Sequence, residues 1–365
     1  MTQAKTARAS KAEAASESSS TSEIFLEFLE RHKRSFELHL TRRLRSAEKR
    51  FTRVGAPTLD TTRALVDLCQ RGGKRVRPGL VLVGATTITA RPKLPVLLDA
   101  ATALELLHAY FLVHDDWMDR DLVRRGGPSA HAVLRRRFGD DHLGDAAAIM
   151  AGDWGVAVAT EWMAQLPVEG AKLRAALTCF ARMQLAAVIG QIRDLVSADD
   201  DAEFTYRLKT ASYTVEGPLL LGAILSGASP AQLKSLTDFA LPLGVAFQLR
   251  DDLIGVFAPP EQTGKPYASD VRAGKRTALV LEAIRRASPK ERRFLLQQLG
   301  NSNARERDLR RFVDLLESLG AHAAVERRIQ TLHRRSLKCL QGSRLRAEGK
   351  TLLASAASAL IHRGA

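Results

Sequence analysis

Two aspartate pairs are the residues of this sequence best suited to chemistry. The first lies in the segment His114-Asp115-Asp116-Trp117-Met118-Asp119, where Asp115 and Asp119 are four positions apart. On a helix their carboxylates share one face, with about 5–6 Å between the Cβ atoms, and they repel each other unless cations neutralise them. Carboxylate oxygens favour Mg²⁺ over zinc. The spacing therefore predicts a magnesium site, and His114 turns off its face.

The second pair, Asp251 and Asp252, raises the same question, and both pairs end strongly apolar segments. A lone acidic pair is usually a solvated helix end. Here, however, glycine-containing cationic segments accompany the pairs: Gly72-Gly73-Lys74-Arg75-Val76-Arg77, Leu122-Val123-Arg124-Arg125-Gly126, Thr263-Gly264-Lys265 and Gly274-Lys275-Arg276-Thr277. Carboxylates that hold Mg²⁺, together with Arg and Lys clusters outside any Walker sequence, describe a site for diphosphate groups.

Long helices must position these residues. Apolar residues recur at helical spacing in five segments: Leu94 to about Val113, Ala146 to Leu166, Ala171 to about Val196, Phe204 to Leu225 and Pro230 to about Val256. Two stretches that are apolar nearly all round, Ala100–Val113 and Leu236–Leu249, should lie at the centre of a bundle. Gly217-Pro218 and Pro242 fall inside predicted helices and predict kinks or breaks there.

Composition is that of a globular protein, with 45% hydrophobic and 26% charged residues in 365. Residues 1–21 are polar and rich in Ala and Ser, and we expect a disordered tail. No linker-like segment divides the remainder, so residues 22–365 are expected to form a single all-α domain, one large helical bundle around a central cavity. Three widely spaced cysteines indicate neither a disulfide framework nor a CxxC metal site.

The net charge of +15 makes nucleic acid, an anionic membrane surface or anionic small substrates the partners to consider. The basic residues are spread over the whole chain without a recognisable nucleic-acid module, so we expect no nucleic-acid partner. No segment approaches about 18 consecutive apolar residues, and no secretory leader pattern is present at the N-terminus. We therefore expect a cytoplasmic protein without a transmembrane segment.

The motifs together resemble those of the trans-isoprenyl diphosphate synthases of the polyprenyl synthetase family. The resemblance covers residues from about 60 to about 280 closely. It is carried by GGKRVRP, ELLHAYFLVHDDWMDRDLVRRGGPSAH, GQIRDL, LKT, FQLRDD, TGKPYASD and AGKRT, which occur in the family's order and approximate spacing. The family implies an all-α bundle of the isoprenoid synthase type.

The resemblance also implies roles for individual residues. The residues for the diphosphate of isopentenyl diphosphate would be Lys74, Arg77, His108 and Arg125. The ligands of three Mg²⁺ ions on the allylic diphosphate would be Asp115, Asp119 and Asp251. The cationic contacts would be Arg124, Lys209 and Lys265, and the polar groups flanking the allylic carbon would be Thr210 and Gln248.

The implied reaction agrees with the predicted site. Metal ions and Lys or Arg stabilise departing pyrophosphate, an allylic carbocation forms, and the double bond of isopentenyl diphosphate attacks it before a proton is lost. No side-chain nucleophile is needed, and by family analogy pyrophosphate itself accepts the proton. The family usually forms homodimers.

One position departs from the family pattern. Many members carry DDxxD as the second motif, whereas Gly255 stands at its last position here and removes one possible ligand, although Asp252 and the later Asp270 remain. His108 on an apolar helix would ordinarily be a core histidine, but its place seven residues before Asp115 favours the substrate-binding role.

Product length in this family depends on the residues below the first aspartates. Tyr110 and Phe111 lie five and four residues before Asp115, about 6–7.5 Å down the helix axis. Helical side chains lean toward the N-terminus, so two rings there predict a shallow pocket and a farnesyl (C15) product. The first motif lacks the two-residue insertion of common bacterial farnesyl enzymes, so geranylgeranyl diphosphate (C20) is the alternative, and the two rings could instead belong to a subunit interface.

Three other classes compete with this hypothesis. A non-catalytic subunit of a heteromeric prenyl synthase would keep the fold and lose the metals, but the first motif is intact. A class I terpene cyclase would not need Lys74, Arg77 and His108 for a second diphosphate. A nucleic-acid binder would leave the aspartate pairs unexplained. The sequence does not reveal the preferred allylic starter, the pathway, or the roles of residues 1–21 and of the C-terminal segment.

Overall fold

The computed structural model describes the backbone of residues 2–196, 201–259 and 267–362, and the side chains from residue 22 onward within these ranges. Helices dominate, and the described residues contain one small sheet, an antiparallel hairpin of β1 (Val123–Arg124) and β2 (Gly127–Pro128). The all-α fold class predicted from the sequence is confirmed.

The first ten helical elements, in chain order, are α1 (Thr2–Lys49), α2 (Ala56–Gln70), α3 (Val76–Thr86), α4 (Leu94–Met118), α5 (Ala130–Phe138), α6 (Asp141–Ala164), α7 (Gly170–Val196), α8 (Ala202–Tyr206), the π-helix π1 (Arg207–Glu216) and α9 (Gly217–Leu225). The others are α10 (Pro230–Phe257), α11 (Ser269–Arg272), α12 (Ala278–Arg286), α13 (Pro289–Gln298), α14 (Glu306–Ser318), α15 (Ala321–Leu340) and α16 (Ala347–Ile361).

The chain divides into two compact units. The first-motif unit, named for Asp115 and Asp119, comprises Phe28–Ala181 and Pro218–Ala228. The second-motif unit, named for Asp251 and Asp252, comprises Met1–Glu27, Arg182–Gly217 and Ser229–Ala365. That residues 22–365 form a single domain stays a prediction.

The helical segment before residue 22 departs from the expected boundary. Helix α1 is assigned from Thr2, whereas the sequence pattern placed its start near Ser22. The prediction of a disordered tail over 1–21 concerns residues whose side chains lie outside the described part, and it stays a prediction.

Helix α4 is the centre of the first-motif unit and packs against α2, α3 and α6. Its side chains are buried almost continuously from Val96 to Ala109, as expected for a helix that is apolar nearly all round. A proline in its first turn, at a position where no backbone donor is required, supports its start. It ends at Met118, where the acidic motif replaces the apolar residues.

Helix α10 has the same position in the second-motif unit, where it packs against π1 and α15. A capping box of Ser229 and Gln232 fixes its start, and the helix continues through Pro242 to Phe257. The predicted segment from Phe204 to Leu225 is divided into α8, π1 and α9, and π1 gives way to α9 at Gly217, next to the predicted break. π-Helical turns are rare and frequently accompany functional sites.

Two helices, α4 and α7, are long and apolar enough to cross a membrane by length and composition. In the apolar window of α4, 78% of the residues are buried inside the fold, against 33% in α7. Core helices of soluble proteins pass the same test, so this is weak evidence for a membrane span. The predicted absence of a transmembrane segment stays a prediction.

Candidate active site

The acidic end of α4 places the two carboxylates of the first motif one turn apart. Asp115 lies in the last turn and Asp119 is the C-cap residue, and both side chains are partly exposed. A helix carries about half a negative charge at its C-terminus, which adds to the repulsion between the two carboxylates. The arrangement is stabilised by cations, so this end of α4 is suited to bind them.

The neighbouring Asp116 has a different environment. It is fully buried and accepts hydrogen bonds from Arg124 Nε at 2.6 Å and from Arg124 Nη2. Burial raises the pKa of Asp116 to about 6, against the opposing effect of the bonded guanidinium. Arg124 also lies 3.9 Å from Asp115 Oδ2 and 3.5 Å from Asp121 Oδ2. Arg124 therefore offsets the negative charge of this acidic cluster. The same arginine is the residue that the family resemblance assigns to a diphosphate contact.

The donor set fits magnesium bound with its substrate rather than in a cage of protein ligands. No group of three or more His, Cys, Asp or Glu side chains in the described ranges could hold a metal. Mg²⁺ keeps several waters and commonly uses one or two carboxylates plus substrate phosphates. Two carboxylates one turn apart meet that requirement.

A glycine-containing loop after α2 presents the first cationic cluster. Gly72 and Gly73 have φ of 82° and 136°, a left-handed region that favours glycine, and the loop leaves Lys74 exposed. Arg71 Nη1 donates to the carbonyl oxygens of Arg124 at 3.2 Å and Pro128 at 2.6 Å, and so ties the loop to the β1–β2 hairpin. Two predicted cationic segments therefore meet in the first-motif unit.

Arg77 and His108 form the next part of this cluster. Arg77 Nη1 donates to His108 Nε2 at 3.1 Å, and the imidazole is buried. Burial, and then the charges of Arg77, Arg125, Arg124 and Arg75, lower the pKa of His108 well below its ordinary value. His108 is therefore neutral at physiological pH, in a cluster with several arginines.

A buried carboxylate joins two further arginines. Glu105 Oε1 accepts from Arg75 Nη1 at 2.5 Å and from Arg125 Nη2 at 3.3 Å. Arg75 also donates to both oxygens of Glu37 on α1, from Nε at 2.7 Å and Nη2 at 3.1 Å. The sequence motif GGKRVRP contains Arg75, but neither glutamate was predicted to belong to the site.

Tyr110, the first of the two aromatic residues before the first motif, packs against several neighbouring groups. Tyr110 is 4.6 Å from the His114 ring and 4.9 Å from the Phe111 ring, between centroids. A Cβ on Gly152 of α6 would lie 3.2 Å from Tyr110 Cδ2, and His114 Nε2 donates to the Ile149 carbonyl at 3.0 Å. Tyr110 thus lies in the α4–α6 packing of its own unit, and its predicted roles in a pocket floor or a subunit interface stay predictions.

Lys209 anchors the cationic part of the second-motif unit. Its Nζ donates to Asp194 Oδ2 at 2.6 Å, which joins the sequence motifs LKT and GQIRDL. A side chain on Gly190 would collide with the Lys209 backbone, so this glycine allows π1 to approach α7. Asp194 was quoted within its motif but was assigned no role from the sequence.

A buried hydrogen-bond chain connects Thr210 to the second motif. Thr210 Oγ1 donates to Gln248 Oε1 at 2.7 Å, and Gln248 Nε2 donates to Asp252 Oδ1 at 3.0 Å. The Tyr206 hydroxyl donates to Asp252 Oδ2 and accepts from the Ala278 backbone N–H at 2.8 Å. Burial, and to a smaller extent the charge of Asp270, raises the pKa of Asp252 to about 7, while the Tyr206 and Gln248 bonds lower it.

The missing carboxylate of the second motif has a spatial replacement. A Cβ on Gly255 would lie 2.5 Å from Asp270 Oδ2, so the Asp270 carboxylate occupies the space that a side chain at 255 would use. Asp251, the predicted ligand, is partly buried on α10. Lys265, the third predicted cationic contact, lies outside the described residues.

A cavity lies elsewhere in the second-motif unit. It has a volume of about 710 Å³ and is lined in part by Leu249, Arg276, Ala278 and Arg328. None of the predicted site residues that the structure describes lines it.

Within each unit, the structure brings predicted residues together: Arg77 with His108 in one, and Thr210 with Gln248 in the other. The residues that sequence reasoning missed are Glu105, Asp194 and Tyr206. Only Glu105 gave a usable signal, as an acid inside an apolar helix three positions before His108, since an unpaired buried carboxylate is costly.

Two helices with acidic ends, accompanied by cationic loops in an all-α fold, are typical of enzymes that act on diphosphate esters. The family model for polyprenyl synthetases matches residues 60–316, and the chain belongs to that family. The chain is 34% identical over 267 residues to the geranylfarnesyl diphosphate synthase of Aeropyrum pernix, covering 71% of this chain and 80% of that one. It is 35% identical over 260 residues to the (2E,6E)-farnesyl diphosphate synthase of Mycobacterium tuberculosis, covering 68% of each.

A solved structure agrees with these relatives. The geranylgeranyl pyrophosphate synthase of Corynebacterium glutamicum, complexed with isoprenyl diphosphate and magnesium, superposes with a TM-score of 0.85 at 31% identity, covering 92% of this chain and 99% of that one. The fold is therefore that of the all-α isoprenoid synthases, and the chain is a prenyl diphosphate synthase of the short-chain group, a transferase.

Proposed function

We propose that this protein condenses isopentenyl diphosphate head to tail with an allylic diphosphate, in a Mg²⁺-dependent reaction that releases pyrophosphate and gives a short all-trans prenyl diphosphate. The observation that carries the proposal is the cluster around His108, where a neutral imidazole and Arg77 are hydrogen-bonded beside further arginines. A terpene cyclase, which binds a single diphosphate, has no use for this second anion site.

In this proposal Lys74, Arg77, His108 and Arg125 hold the diphosphate of isopentenyl diphosphate. The arginines supply positive charge, and the neutral imidazole adds a hydrogen-bonding group without a charge of its own. Their fixed positions orient the substrate double bond before reaction, which lowers the entropic part of the barrier.

The allylic substrate is assigned to both motifs. Asp115, Asp119 and Asp251 are the proposed ligands of three Mg²⁺ ions, and Arg124, Lys209 and Lys265 are the proposed cationic contacts. Bound Mg²⁺ supplies positive charge that stabilises the departing pyrophosphate. Thr210 and Gln248, whose side chains are hydrogen-bonded to each other, are proposed to flank the allylic carbon, where their dipoles act on the developing carbocation.

Farnesyl diphosphate (C15) is our first proposal for the product, because two aromatic residues precede the first motif. Geranylgeranyl diphosphate (C20) is the second candidate, and a specific observation favours it. Tyr110 packs against His114 and next to Gly152, so part of its bulk belongs to helix packing rather than to a pocket floor. The three named relatives have products of three different lengths, and so they leave both candidates open.

The test is to incubate the purified protein with Mg²⁺, isopentenyl diphosphate and, in separate reactions, dimethylallyl, geranyl or farnesyl diphosphate. Products are dephosphorylated and their chain lengths determined by mass spectrometry. Elongation to C15 or C20 supports the proposal and selects between the candidates. No elongation of any starter would count against it and would favour a non-catalytic subunit.

Single variants separate the roles of the two rings. If both rings form the floor, Tyr110→Ala and Phe111→Ala each lengthen the product and the double variant lengthens it most. If Tyr110 is only packing, Phe111→Ala lengthens the product and Tyr110→Ala lowers stability without changing product length. An unchanged product distribution in the double variant would exclude both residues as chain-length determinants.

We also propose a homodimer in the cytoplasm. The part of α7 in the second-motif unit exposes an apolar stripe at helical spacing: Leu185, Val188, Ile189, Ile192 and Leu195, each at least 42% exposed. Such a stripe on one helix face suits burial against a second copy of the chain. Light scattering of the wild type and of Ile189→Asp tests this, with a dimer expected for the first and a shift toward monomer for the second.

A further inference from the structure

Glu105 is the buried carboxylate within the cationic cluster of the first-motif unit, and the proposed reaction assigns it no role. Glu105 lies on α4 with only 3% of its surface exposed, and one of its oxygens accepts hydrogen bonds from two different arginines. Glu105 and His108 are three positions apart and therefore lie on the same face of α4. The carboxylate is thus placed directly behind the cluster.

The two arginines come from the two segments that meet there. Arg75 follows Lys74 in the loop after α2 and adopts φ of 48°, an uncommon conformation for a residue other than glycine. Arg125, in the β1–β2 hairpin, also has a positive φ, of 52°. Both backbone conformations are costly on their own, so side-chain interactions must maintain them.

Arg75 has other supports, whereas Arg125 has few. Arg75 donates to both oxygens of Glu37 and to the Cys69 carbonyl, at 2.8 Å. Within the described ranges the Arg125 side chain donates one hydrogen bond to the Leu68 carbonyl at 3.2 Å and one to Glu105 at 3.3 Å. Loss of the Glu105 charge therefore leaves Arg75 bound to Glu37, whereas Arg125 loses its carboxylate partner among the described residues and keeps the Arg75 guanidinium nearby.

We infer that Glu105 is a positioning residue for isopentenyl diphosphate. It offsets the repulsion between Arg75 and Arg125, and it holds the Arg125 guanidinium in the orientation that the diphosphate requires. It touches no substrate itself and acts through Arg125. The inference rests on the proposed function, because it takes the cluster around His108 to be the isopentenyl diphosphate site.

The test compares two isosteric substitutions. Both affect a carboxylate bound to Arg75, but only one of these carboxylates is also bound to Arg125. Glu105→Gln removes the charge shared by Arg75 and Arg125, whereas the matched control, Glu37→Gln, removes a charge that contacts Arg75 alone. For Glu105→Gln we expect the KM for isopentenyl diphosphate to rise about tenfold or more, which corresponds to one charge-assisted hydrogen bond. The KM for the allylic diphosphate should stay within about twofold. For Glu37→Gln both KM values should stay within about twofold.

Binding of isopentenyl diphosphate alone, measured by calorimetry, should weaken by the same factor in Glu105→Gln. Thermal unfolding identifies a purely structural role, which would lower the melting temperature of both variants and leave the KM for isopentenyl diphosphate unchanged in folded protein. That result would overturn the inference, as would equal increases in both KM values.

If Glu105→Gln does not fold, the inference is tested with Glu105→Asp, which keeps the charge but shortens the side chain. A selective rise in the KM for isopentenyl diphosphate supports the inference, and an unchanged value overturns it. Wild-type protein without prenyl transfer would instead defeat the proposed function. Wild-type turnover together with an unaltered KM in the Glu105 variants defeats this inference alone.

Discussion

Substitutions at Gly255 distinguish two hypotheses for the second motif. Either the motif has lost a carboxylate, or Asp270 supplies that carboxylate from another part of the chain. By sequence, Gly255 is a lost ligand and Gly255→Asp should restore DDxxD. By structure, a Cβ at this position would lie 2.5 Å from Asp270 Oδ2 and 3.3 Å from Asp270 Cγ. The oxygen would have to move by about 1 Å to reach an ordinary van der Waals separation. We therefore expect Gly255→Asp to lower turnover rather than raise it.

The energies involved differ between the two possible substitutions. In Gly255→Ala, a helix-propensity gain of up to about 1 kcal/mol offsets a rotamer cost of about 0.5–1.5 kcal/mol for Asp270. Stability should therefore change by less than about 1 kcal/mol, a few degrees in melting temperature. Gly255→Asp adds a carboxylate beside Asp270 and Asp252. One such pair at about 5 Å costs about 3 kcal/mol at an effective dielectric constant of about 20.

The assay is the Mg²⁺ dependence of turnover, combined with thermal unfolding at low and high Mg²⁺. Gly255→Ala should raise the Mg²⁺ concentration at half-maximal turnover with little change in melting temperature, and Asp270→Asn should do the same. The double variant should be no worse than Asp270→Asn, because Gly255→Ala displaces the same carboxylate that Asp270→Asn removes. Greater activity of Gly255→Asp than of wild type, or an unchanged Mg²⁺ dependence in Gly255→Ala, would refute this reasoning.

Three further outcomes are expected. Asp115→Ala should reduce turnover by about a hundredfold or more while circular dichroism stays that of the wild type, and a near-normal rate would exclude Asp115 as a metal ligand. Tyr206→Phe leaves the Ala278 N–H and one Asp252 oxygen without their partner, so urea unfolding should show a loss of about 1–3 kcal/mol, and kcat should fall because Gln248 loses its support. Burial, then His362 and Arg334, lower the pKa of His333 to about 4, below the unfolded value of about 6.5. The folded state therefore favours the neutral form, and its stability should be complete above about pH 6.5 and decline toward pH 4; His333→Gln should flatten this part of the stability profile, and an unaltered profile would contradict it.

Sequence periodicity predicted the helices well where a single physical effect determines them. The α4 and α10 segments are apolar nearly all round, and each is buried within its own unit. The helical segment Phe204–Leu225 is confirmed, but its π-helical part was not predicted. The wider turn of π1 accompanies a close approach of its backbone to Gly190 and Gly244, a tertiary contact that local periodicity does not encode. The end of α4 was set too early for a similar reason, since polar residues at an active site interrupt the apolar pattern without ending the helix.

Residue types point to candidate groups for binding metal and diphosphate more readily than to the groups that support them. Asp115, Arg77 and His108 are recognisable because diphosphate chemistry requires charges of defined sign. Asp194 and Tyr206 contribute through partners 15 and 46 positions away in the chain, and only folding reveals those pairings. A lone buried acid such as Glu105 signals that a cation must be near, but it does not identify which one.

In both aspartate pairs the two side chains have different environments, and helix geometry explains the difference. Adjacent residues on a helix point about 100° apart, so only one carboxylate of each pair can face outward. Asp115 and Asp251 are the more accessible members, whereas Asp116 and Asp252 are buried. Asp116 is bound to Arg124, and Asp252 is bound to Tyr206 and Gln248. We propose that in each pair the first aspartate binds a metal ion while the second orients a neighbouring polar group, which would give a physical reason for two consecutive acids at the end of an apolar helix.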